Sequence, residues 1–482
     1  MGESILSADG LFRWYAPGAV GDDSKLVAGT IVIAANGIST LSLVGLLPDD
    51  TPTGITFELK PIDAERCIVG FLKDSRYVFL RRIGCDGTTF SNVLSHQRYQ
   101  AREAVVFHDL KEFPDLDAVT NLLIGLDALE DWASEPAVKV SKTPRGVTAR
   151  ASTPKTLTFK LPDKTVRLKT NIRYTAPAEL WFQSVTIKQE TFFEVEPRVL
   201  LSLDSIREEF HMLEDLLLLL ADVDVALPWP TVRYGGETGL YYFERRRSDS
   251  QKVEILKSWA TLRWPTISFG TLLSNLETQR DILGPGLYLY LAIRRSPPLF
   301  LENRFTTAIF GLESLHRRVG TPVTQAKLEA KIARIIGDVK LQKDRDWLSG
   351  RLRYTYEPSL EERLFLTFSE LEIGLEPKDL RVFSKECADL RNKVAHFGGQ
   401  RDGGYDDFVQ RMYTLNEAVQ PLYHAVLLSR IGLGLDRIWA YFHMSPYSFQ
   451  RKKMLKAAGL TFTPQLAPPT EVKVQTKPEP AP

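Results

Sequence analysis

The sequence predicts an α+β multidomain protein, with a β-rich N-terminal domain of sandwich or barrel type followed by an all-α helical bundle. In roughly the first 200 residues, short segments alternate between apolar and polar residues, which is typical of strands. From about residue 256 onward, apolar residues recur every three to four positions, which is typical of helices. A chain of 482 residues also exceeds what one hydrophobic core supports.

The N-terminal segments are rich in β-branched and aromatic residues, and turn residues such as Asn36-Gly37 and Asp86-Gly87 separate them. Their lengths of about six to ten residues favour an antiparallel sandwich or barrel. One segment within this region, residues 115–134, is an exception to the strand pattern. We expect it to form a short helical insertion.

A connecting helix is predicted at residues 203–226, still within an N-terminal domain that spans 1–255. Its apolar residues follow helical spacing: Ile206, Phe210, Leu213, Leu217 and Leu220. Asp204 is the predicted N-cap, and the prolines Pro228 and Pro230 are expected to end the helix. We expect this domain to sense a trigger or to hold the rest of the chain inactive.

The helical domain is predicted at residues 256–460. The segment 301–319 carries an apolar stripe, and residues 408–442 are expected to form one or two long helices with a kink at Pro421. The last segment, 461–482, is rich in proline and polar residues. It cannot bury a core and is predicted to be a disordered tail.

Charge and motif content exclude several classes of function. With 61 basic and 60 acidic residues, the chain has no overall attraction for nucleic acid, so RNA contact requires a local patch. Cys67, Cys85 and Cys387 lack metal-binding or disulfide spacing, which favours a reducing cytoplasm. No apolar run approaches the roughly 20 residues that span a bilayer. No nucleotide-binding or metal-binding motif appears, so we expect neither a cofactor nor a metal ion.

The segment PKDLRVFSKECADLRNKVAHFGG, residues 377–399, carries the strongest chemical signal. Its apolar stripe consists of Leu380, Phe383, Cys387, Leu390, Val394 and Phe397. At about 100° per residue, Arg391, Asn392 and His396 lie away from this stripe. Asn392 and His396 are four residues apart and therefore neighbours on the helix surface. Gly398-Gly399 is predicted to end the helix, and a helix C-terminus favours a positively charged imidazole.

The string from Arg391 to His396, Arg-Asn-Lys-Val-Ala-His, resembles the R-x4-H signature of the HEPN superfamily, including the polar residue after the arginine. A β-rich region before a helical domain, and the helix at 302–319, resemble the ApeA-like HEPN proteins of bacterial anti-phage defence. The resemblance is sharpest over about 290–400. It implies a homodimer that cleaves RNA without a metal ion, a tRNA or mRNA substrate, and a trigger of phage origin.

The residue types suit this chemistry because RNA carries its own nucleophile, the 2′-hydroxyl. Cleavage requires removal of its proton, stabilisation of charge on the phosphate and protonation of the leaving 5′-oxygen. His396 is the candidate for proton transfer, and Arg391 is the candidate for binding the phosphate. Asn392 would orient His396 or donate to a phosphate oxygen. The resemblance implies that a dimer supplies the second histidine.

Two alternatives remain open from the sequence. The helical domain could dimerise or bind RNA without cleaving it, or the chain could be a toxin held by a separate antitoxin. Glu313 could support the site but is expected to be solvated or to cap a helix. Three basic clusters, Arg245-Arg246-Arg247, Arg294-Arg295 and Arg451-Lys452-Lys453, could contact an RNA backbone but are expected to be solvated surface groups.

Overall fold

The computed structural model describes residues 4–15, 26–47, 67–89, 94–111, 113–127, 129–133, 136–175, 185–245, 268–295, 299–319, 325–352, 358–397 and 404–463. The chain forms two compact units. Unit 1 comprises Met1–Glu214 and Val225–Val253, and unit 2 comprises Asp215–Asp224 and Glu254–Pro482. Phe462, in the predicted tail, forms a β-bridge with Leu375. The rest of that tail, 464–482, lies outside the described residues.

Unit 1 contains a six-stranded antiparallel barrel, which confirms the predicted β-rich N-terminal region. Closing the sheet removes most of the free edges of the barrel, because the first and last strands pair with each other. Its strands follow the order β6-β3-β2-β1-β4-β5, and β5 pairs back with β6. The strands are β1 (Ser4–Tyr15), β2 (Val27–Ala34), β3 (Ser39–Val44), β4 (Cys67–Leu72), β5 (Tyr77–Thr89) and β6 (His96–Phe107).

Strand β6 belongs to two sheets. Its first half pairs with β3 and β5. Side chains there alternate: Gln97, Tyr99 and Ala101 are buried, and the residues between them are exposed. Its second half, from Glu103 to Phe107, is buried throughout. That half leads into a second sheet of order β10-β11-β12-β7-β13-β14-β6. One face of the first half therefore meets the barrel interior, while the second half is covered on both faces.

The second sheet is also antiparallel, and a separate two-stranded hairpin, β8–β9, accompanies it. A short helix α1 and a longer helix α2 complete this part of the chain. The elements are β7 (Asn121–Gly125), α1 (Glu130–Ala133), β8 (Val138–Thr143), β9 (Gly146–Ala151), β10 (Leu157–Lys160), β11 (Lys164–Thr175), β12 (Thr186–Pro197), α2 (Leu203–Ala221), β13 (Thr231–Tyr234) and β14 (Glu237–Phe243).

The predicted helical insertion at 115–134 is wrong for most of its length. Residues Asn121–Gly125 form strand β7, which pairs with β12 on one side and β13 on the other. Within the described residues of the segment, only Glu130–Ala133 is helical. A short apolar run does not distinguish a buried strand from a buried helix by its period. The strand is stabilised by hydrogen bonds from both neighbours, which lie far away in the sequence.

Helix α2 carries the predicted apolar stripe, and all five of its members are buried. The predicted cap is wrong, because the Ser202 Oγ, and not Asp204, accepts a hydrogen bond from the backbone N–H of Ser205 at 3.2 Å. The helix ends at Ala221, well before Pro228. Asp222 follows with φ at 57°, the left-handed conformation that commonly terminates helices. Chain geometry at Asp222, and not proline, therefore ends α2.

Unit 2 is helical, as predicted. Residues 408–442 form two helices, as expected: Pro421 lies inside the first, which ends at Arg430 just before Gly432, whose φ is 96°. The helices are α3 (Phe269–Leu283), α4 (Pro285–Arg295), α5 (Leu301–Val319), α6 (Gln325–Gly337), α7 (Gln342–Leu352), α8 (Leu360–Ser369), α9 (Pro377–Phe397), α10 (Tyr405–Arg430), α11 (Leu435–His443) and α12 (Ser448–Ala457).

Helices α5 and α10 approach closely at Gly311. A Cβ atom added to Gly311 would lie 2.0 Å from the hydroxyl oxygen of Tyr423, on α10. That hydroxyl donates a hydrogen bond to the backbone carbonyl of Gly286, on α4. Tyr423 is fully buried, so it has no room to move aside. The absence of a side chain at Gly311 therefore fixes the packing of three helices.

A largely buried polar cluster in unit 2 centres on Asp222, whose side chain is 20% exposed. Its carboxylate accepts hydrogen bonds from Arg294 at 2.7 Å, from Arg451 at 3.1 Å and from the Tyr441 hydroxyl at 3.0 Å. The Arg294 guanidinium also donates to the Tyr290 hydroxyl at 2.6 Å. From the sequence, Arg294 and Arg451 were expected to be solvated surface groups. That prediction is wrong. A carboxylate taken out of water requires such partners.

Arg245, from the third basic cluster, is also buried. Its guanidinium lies 3.8 Å from the ring centroid of Trp229 and forms an ion pair with Glu214 at 3.3 Å, both within unit 1. The neighbouring Arg246 and Arg247 lie outside the described residues. Among the described residues, each of the three clusters thus supplies at least one arginine that is ion-paired with a carboxylate. A basic run in the sequence gives no indication of which member meets that carboxylate.

His424, on α10, joins the Asp222 cluster through a 2.5 Å hydrogen bond between its Nδ1 and the Tyr290 hydroxyl. Burial lowers the pKa of His424 to about 4, although the Asp222 carboxylate opposes the shift. For Asp222 itself, burial would raise the pKa, but Arg294 and Arg451, together with His424 once acid has protonated it, outweigh burial and hold the pKa below its usual range. The folded state therefore holds His424 neutral at pH 7.

We predict that Gly311→Ala lowers the free energy of unfolding of unit 2 by roughly 2–3 kcal/mol, because the new methyl group overlaps Tyr423. Thermal unfolding measured by circular dichroism tests this. Gly350→Ala is the matched control, because a Cβ there has no neighbour within 4 Å. Adding Tyr423→Phe to Gly311→Ala should recover part of the loss. Equal stability of the two alanine variants would contradict the packing argument.

We predict that unit 2 loses stability between about pH 6.5 and pH 4, because the unfolded chain then binds a proton that folded His424 excludes. The loss from this group is on the order of 3 kcal/mol. Hydrogen exchange of the α10 amides, corrected for intrinsic rates, measures it.

In His424→Gln the loss over this pH range should be smaller, whereas the exposed His108→Gln in unit 1 should behave like the wild type. If His424→Gln retains the full pH dependence, His424 is not its source.

Candidate active site

Helix α9 carries the three predicted site residues in its last two turns. Leu380, Phe383, Cys387 and Leu390 of the predicted apolar stripe are buried, and Val394 is half-buried. Arg391 and Asn392 leave this buried face and are partly exposed. The period of the helix therefore separates the packing residues from the polar residues, which leaves the polar ones free for chemistry.

Arg391 is held by three neighbours. Its Nη2 donates to the carboxylate of Glu313, on α5, at 3.2 Å, and its Nη1 donates to the amide oxygen of Asn392 at 2.9 Å. The guanidinium lies over the ring of Phe310, at 4.4 Å from the centroid. Only 16% of the side chain is exposed. An arginine with so little freedom is preoriented for an anion, because less rotamer entropy is lost on binding.

Glu313 connects two arginines. It also accepts a hydrogen bond from Arg317, one turn later on α5, at 3.1 Å. The expectation of a solvated or capping role is wrong, since its side chain is only 17% exposed and is ion-paired across helices. In the sequence, the i and i+4 spacing of Glu313 and Arg317 indicates that these two residues pair on the helix. It does not indicate that Glu313 also pairs with Arg391. Phe310 was not among the residues predicted from the sequence. It lies three residues before Glu313, on the same side of α5.

The guanidinium of Arg391 retains donors that the protein does not use. Two of its five N–H groups make the bonds to Glu313 and Asn392. The other three, including the buried Nε, have no hydrogen-bond partner among the described residues. A buried donor without a partner is costly, and a phosphate oxygen would satisfy it. The exposed Lys393 adds a further positive charge beside this arginine.

His396 lies in the last turn of α9, four residues after Asn392. In an α-helix this spacing brings the Cα atoms to about 6 Å and places both residues on one side. The side chain of His396 lies outside the described part of the structure, as do Gly398 and Gly399. The structure thus joins Arg391 to Asn392, and the part of His396 in the site stays a prediction.

Other kinds of site are not found among the described residues. In that part of the chain, no group of three or more His, Cys, Asp and Glu side chains could hold a metal ion. The three cysteines are free thiols, and burial raises the pKa of Cys67 to about 12. Across the same described ranges, no helix combines the length and apolar character needed to cross a membrane.

Comparison with known families matches both parts of the chain. Residues 13–246 match the ApeA N-terminal domain 1, and residues 307–437 match the Apea-like HEPN domain. The second match includes Phe310, Glu313, Arg391, Asn392 and His396. No curated protein and no solved structure gives a significant match. Because the two matches together cover most of the chain in the expected order, this protein belongs to the ApeA-like HEPN family.

Proposed function

We propose that this protein is a metal-independent endoribonuclease of the HEPN type that acts in anti-phage defence by abortive infection. The observation that carries the proposal is the preoriented, partly exposed guanidinium of Arg391, which has donors that the protein does not use. In this proposal the N-terminal domain, 1–255, responds to a trigger of phage origin. The HEPN domain, 256–460, forms a homodimer and cuts tRNA or mRNA.

The proposed reaction begins with proton transfer from the RNA 2′-hydroxyl to His396. The 2′-oxygen then attacks the adjacent phosphorus, and the bond from phosphorus to the 5′-oxygen breaks. A protonated His396, from the same or the partner chain, gives a proton to the leaving 5′-oxygen. The products are a 2′,3′-cyclic phosphate and a 5′-hydroxyl. No outside oxidant, reductant or water molecule is consumed.

Arg391 would stabilise the charge that develops on the phosphate. Its planar guanidinium can donate two parallel hydrogen bonds to phosphate oxygens. The ring of Phe310 restricts the plane in which that guanidinium lies, at 4.4 Å from the centroid. Asn392 accepts a bond from Arg391 through its amide oxygen, so its NH2 group remains able to donate to His396 or to the substrate.

Glu313 acts in this proposal as a positioning residue. Its carboxylate fixes Arg391 and Arg317 but also adds negative charge near the phosphate. In the resting protein this ion pair competes with RNA for the guanidinium. Phosphate would therefore bind the N–H groups of Arg391 that Glu313 and Asn392 do not occupy, against the repulsion of the Glu313 carboxylate.

We predict that purified protein cleaves a mixed pool of tRNA and mRNA in the presence of EDTA, and that Arg391→Ala and His396→Ala each lower the rate by about 100-fold or more. Mapping of the product ends should find 2′,3′-cyclic phosphates. Arg381→Ala is the matched control, because Arg381 lies on the same helix and stacks on Phe365 at 4.1 Å.

If the purified protein does not cleave RNA by itself, it should be assayed again with a lysate of phage-infected cells, which supplies the trigger. If folded wild type still cuts nothing, or if both variants equal the wild type, the domain is a non-catalytic dimerisation or RNA-binding module. A chain that is stable only with a small partner protein would instead favour the toxin and antitoxin alternative.

We predict opposite effects for two substitutions at Glu313. Glu313→Gln keeps an acceptor for Arg391 but removes the negative charge, so KM for RNA should fall a few-fold with kcat nearly unchanged. Glu313→Ala releases Arg391, so kcat should fall by roughly 10-fold or more. Glu302→Gln, also on α5, is the control. Wild-type kinetics in both Glu313 variants would show that Glu313 does not position Arg391.

A further inference from the structure

The hairpin β8–β9 of unit 1 is an exposed ribbon. Every residue from Lys139 to Arg150 is exposed, and the two strands form a sheet of their own. The two-residue turn, Pro144-Arg145, places an arginine at its tip. A two-stranded hairpin alone is only marginally stable in water.

The charge of this region is one-sided. Residues 136–162 contain six basic residues and no acidic one, although the whole chain is nearly neutral. None of the six forms an ion pair with a described residue. On the neighbouring strands β11 and β12, by contrast, Arg167, Lys169 and Arg173 all pair with glutamates. The six residues are Lys139, Lys142, Arg145, Arg150, Lys155 and Lys160.

The register concentrates charge on one face of the ribbon. Lys139 lies directly opposite Arg150, so two like charges face each other with no carboxylate between them. Ser141 lies opposite Thr148 on the same face, because side chains alternate along a strand. We call this face, made of Lys139, Ser141, Thr143, Thr148 and Arg150, the cationic face. The opposite face carries Val138, Val140, Val147, Ala149 and Ala151 together with Lys142.

We propose that the cationic face binds the phosphate backbone of RNA. Lysine, arginine, serine and threonine are the side chains that commonly contact phosphates, and such contacts need no base sequence. A bound polyanion would also relieve the repulsion between Lys139 and Arg150. An anionic membrane is the weaker fit, because the other face offers only valine and alanine, without the tryptophan, phenylalanine or leucine that enters lipid. The choice of RNA over DNA rests on the proposed nuclease function.

The test measures binding of full-length protein to a labelled, unstructured 2′-O-methyl RNA by fluorescence anisotropy across a range of salt concentrations. Such RNA keeps its phosphates but lacks the free 2′-hydroxyl needed for cleavage. K139Q/R150Q should bind about 10-fold more weakly at low salt, and the slope of log K against log salt should fall by about 1.4. The substituted side chains are exposed, so the fold should be unchanged by circular dichroism.

The matched control is R173Q/K188Q, which removes another directly opposed pair of basic residues. Arg173 and Lys188 are register partners on β11 and β12, but both already contact Glu190. This variant should bind RNA within about 2-fold of wild type. The single variant K142Q, on the other face of the hairpin, should lose less affinity than K139Q.

Equal binding by the two double variants would overturn the proposal. It would also be overturned if the hairpin substitutions weakened binding to duplex DNA, or to vesicles containing phosphatidylglycerol, more than binding to RNA. Because the RNA analogue cannot be cleaved, the result is independent of catalysis. Hairpin-dependent binding without cleavage of natural RNA would remove the proposed nuclease function and leave the binding surface intact.

Discussion

The ion-paired carboxylate of Asp222, only 20% exposed, is the constraint on which unit 2 depends. A charge removed from water must be matched by partners, and three different helices supply them: Arg294 from α4, Tyr441 from α11 and Arg451 from α12. His424 brings α10 to the same cluster through Tyr290. Removing the Asp222 carboxylate would leave both Arg294 and Arg451 without an acidic partner among the described residues, so these helices hold one arrangement with respect to each other.

The candidate site inherits its rigidity from this packing. Tyr423, the neighbour of His424 on α10, contacts Gly311 on α5, and Glu313 lies half a turn further along the same helix. Glu313 in turn holds Arg391 of α9. The position of the guanidinium is thus set by a chain of contacts that begins in the apolar core. Chemistry that depends on placing one cation against one phosphate requires this kind of support.

The sequence indicates the parts of this protein that depend on local pattern. The stripes of α2, α5 and α9 have a clear helical period, and strand β3 and the first half of β6 alternate as expected. The predictions that were wrong concern features that depend on pairing between residues far apart in the sequence. Strand β7 looked helical because its hydrogen-bond partners lie about 70–110 residues away on β12 and β13. Arg294, Arg451 and Glu313 looked solvated because their partners lie on other helices.

The residues of the candidate site divide in the same way, into those that a local pattern predicts and those that it does not. Arg391 and Asn392 follow from the motif and the period of one helix, whereas Glu313 and Phe310 come from a helix about 80 residues earlier. No local pattern on α5 distinguishes a glutamate that pairs across helices from one that pairs only with Arg317. The partners of a guanidinium are determined by tertiary packing, and a single sequence carries little information about it.

The dual membership of strand β6 has a consequence for synthesis of the chain. The six barrel strands are contiguous in sequence, so the barrel can close once residues up to Phe107 have left the ribosome. The outer edge of Glu103–Phe107 must then wait for β14, which is made much later. During that interval the unpaired edge of this strand segment, which is buried in the folded protein, can pair with other chains. The nascent protein therefore passes through a stage in which chaperone protection of one short strand matters most.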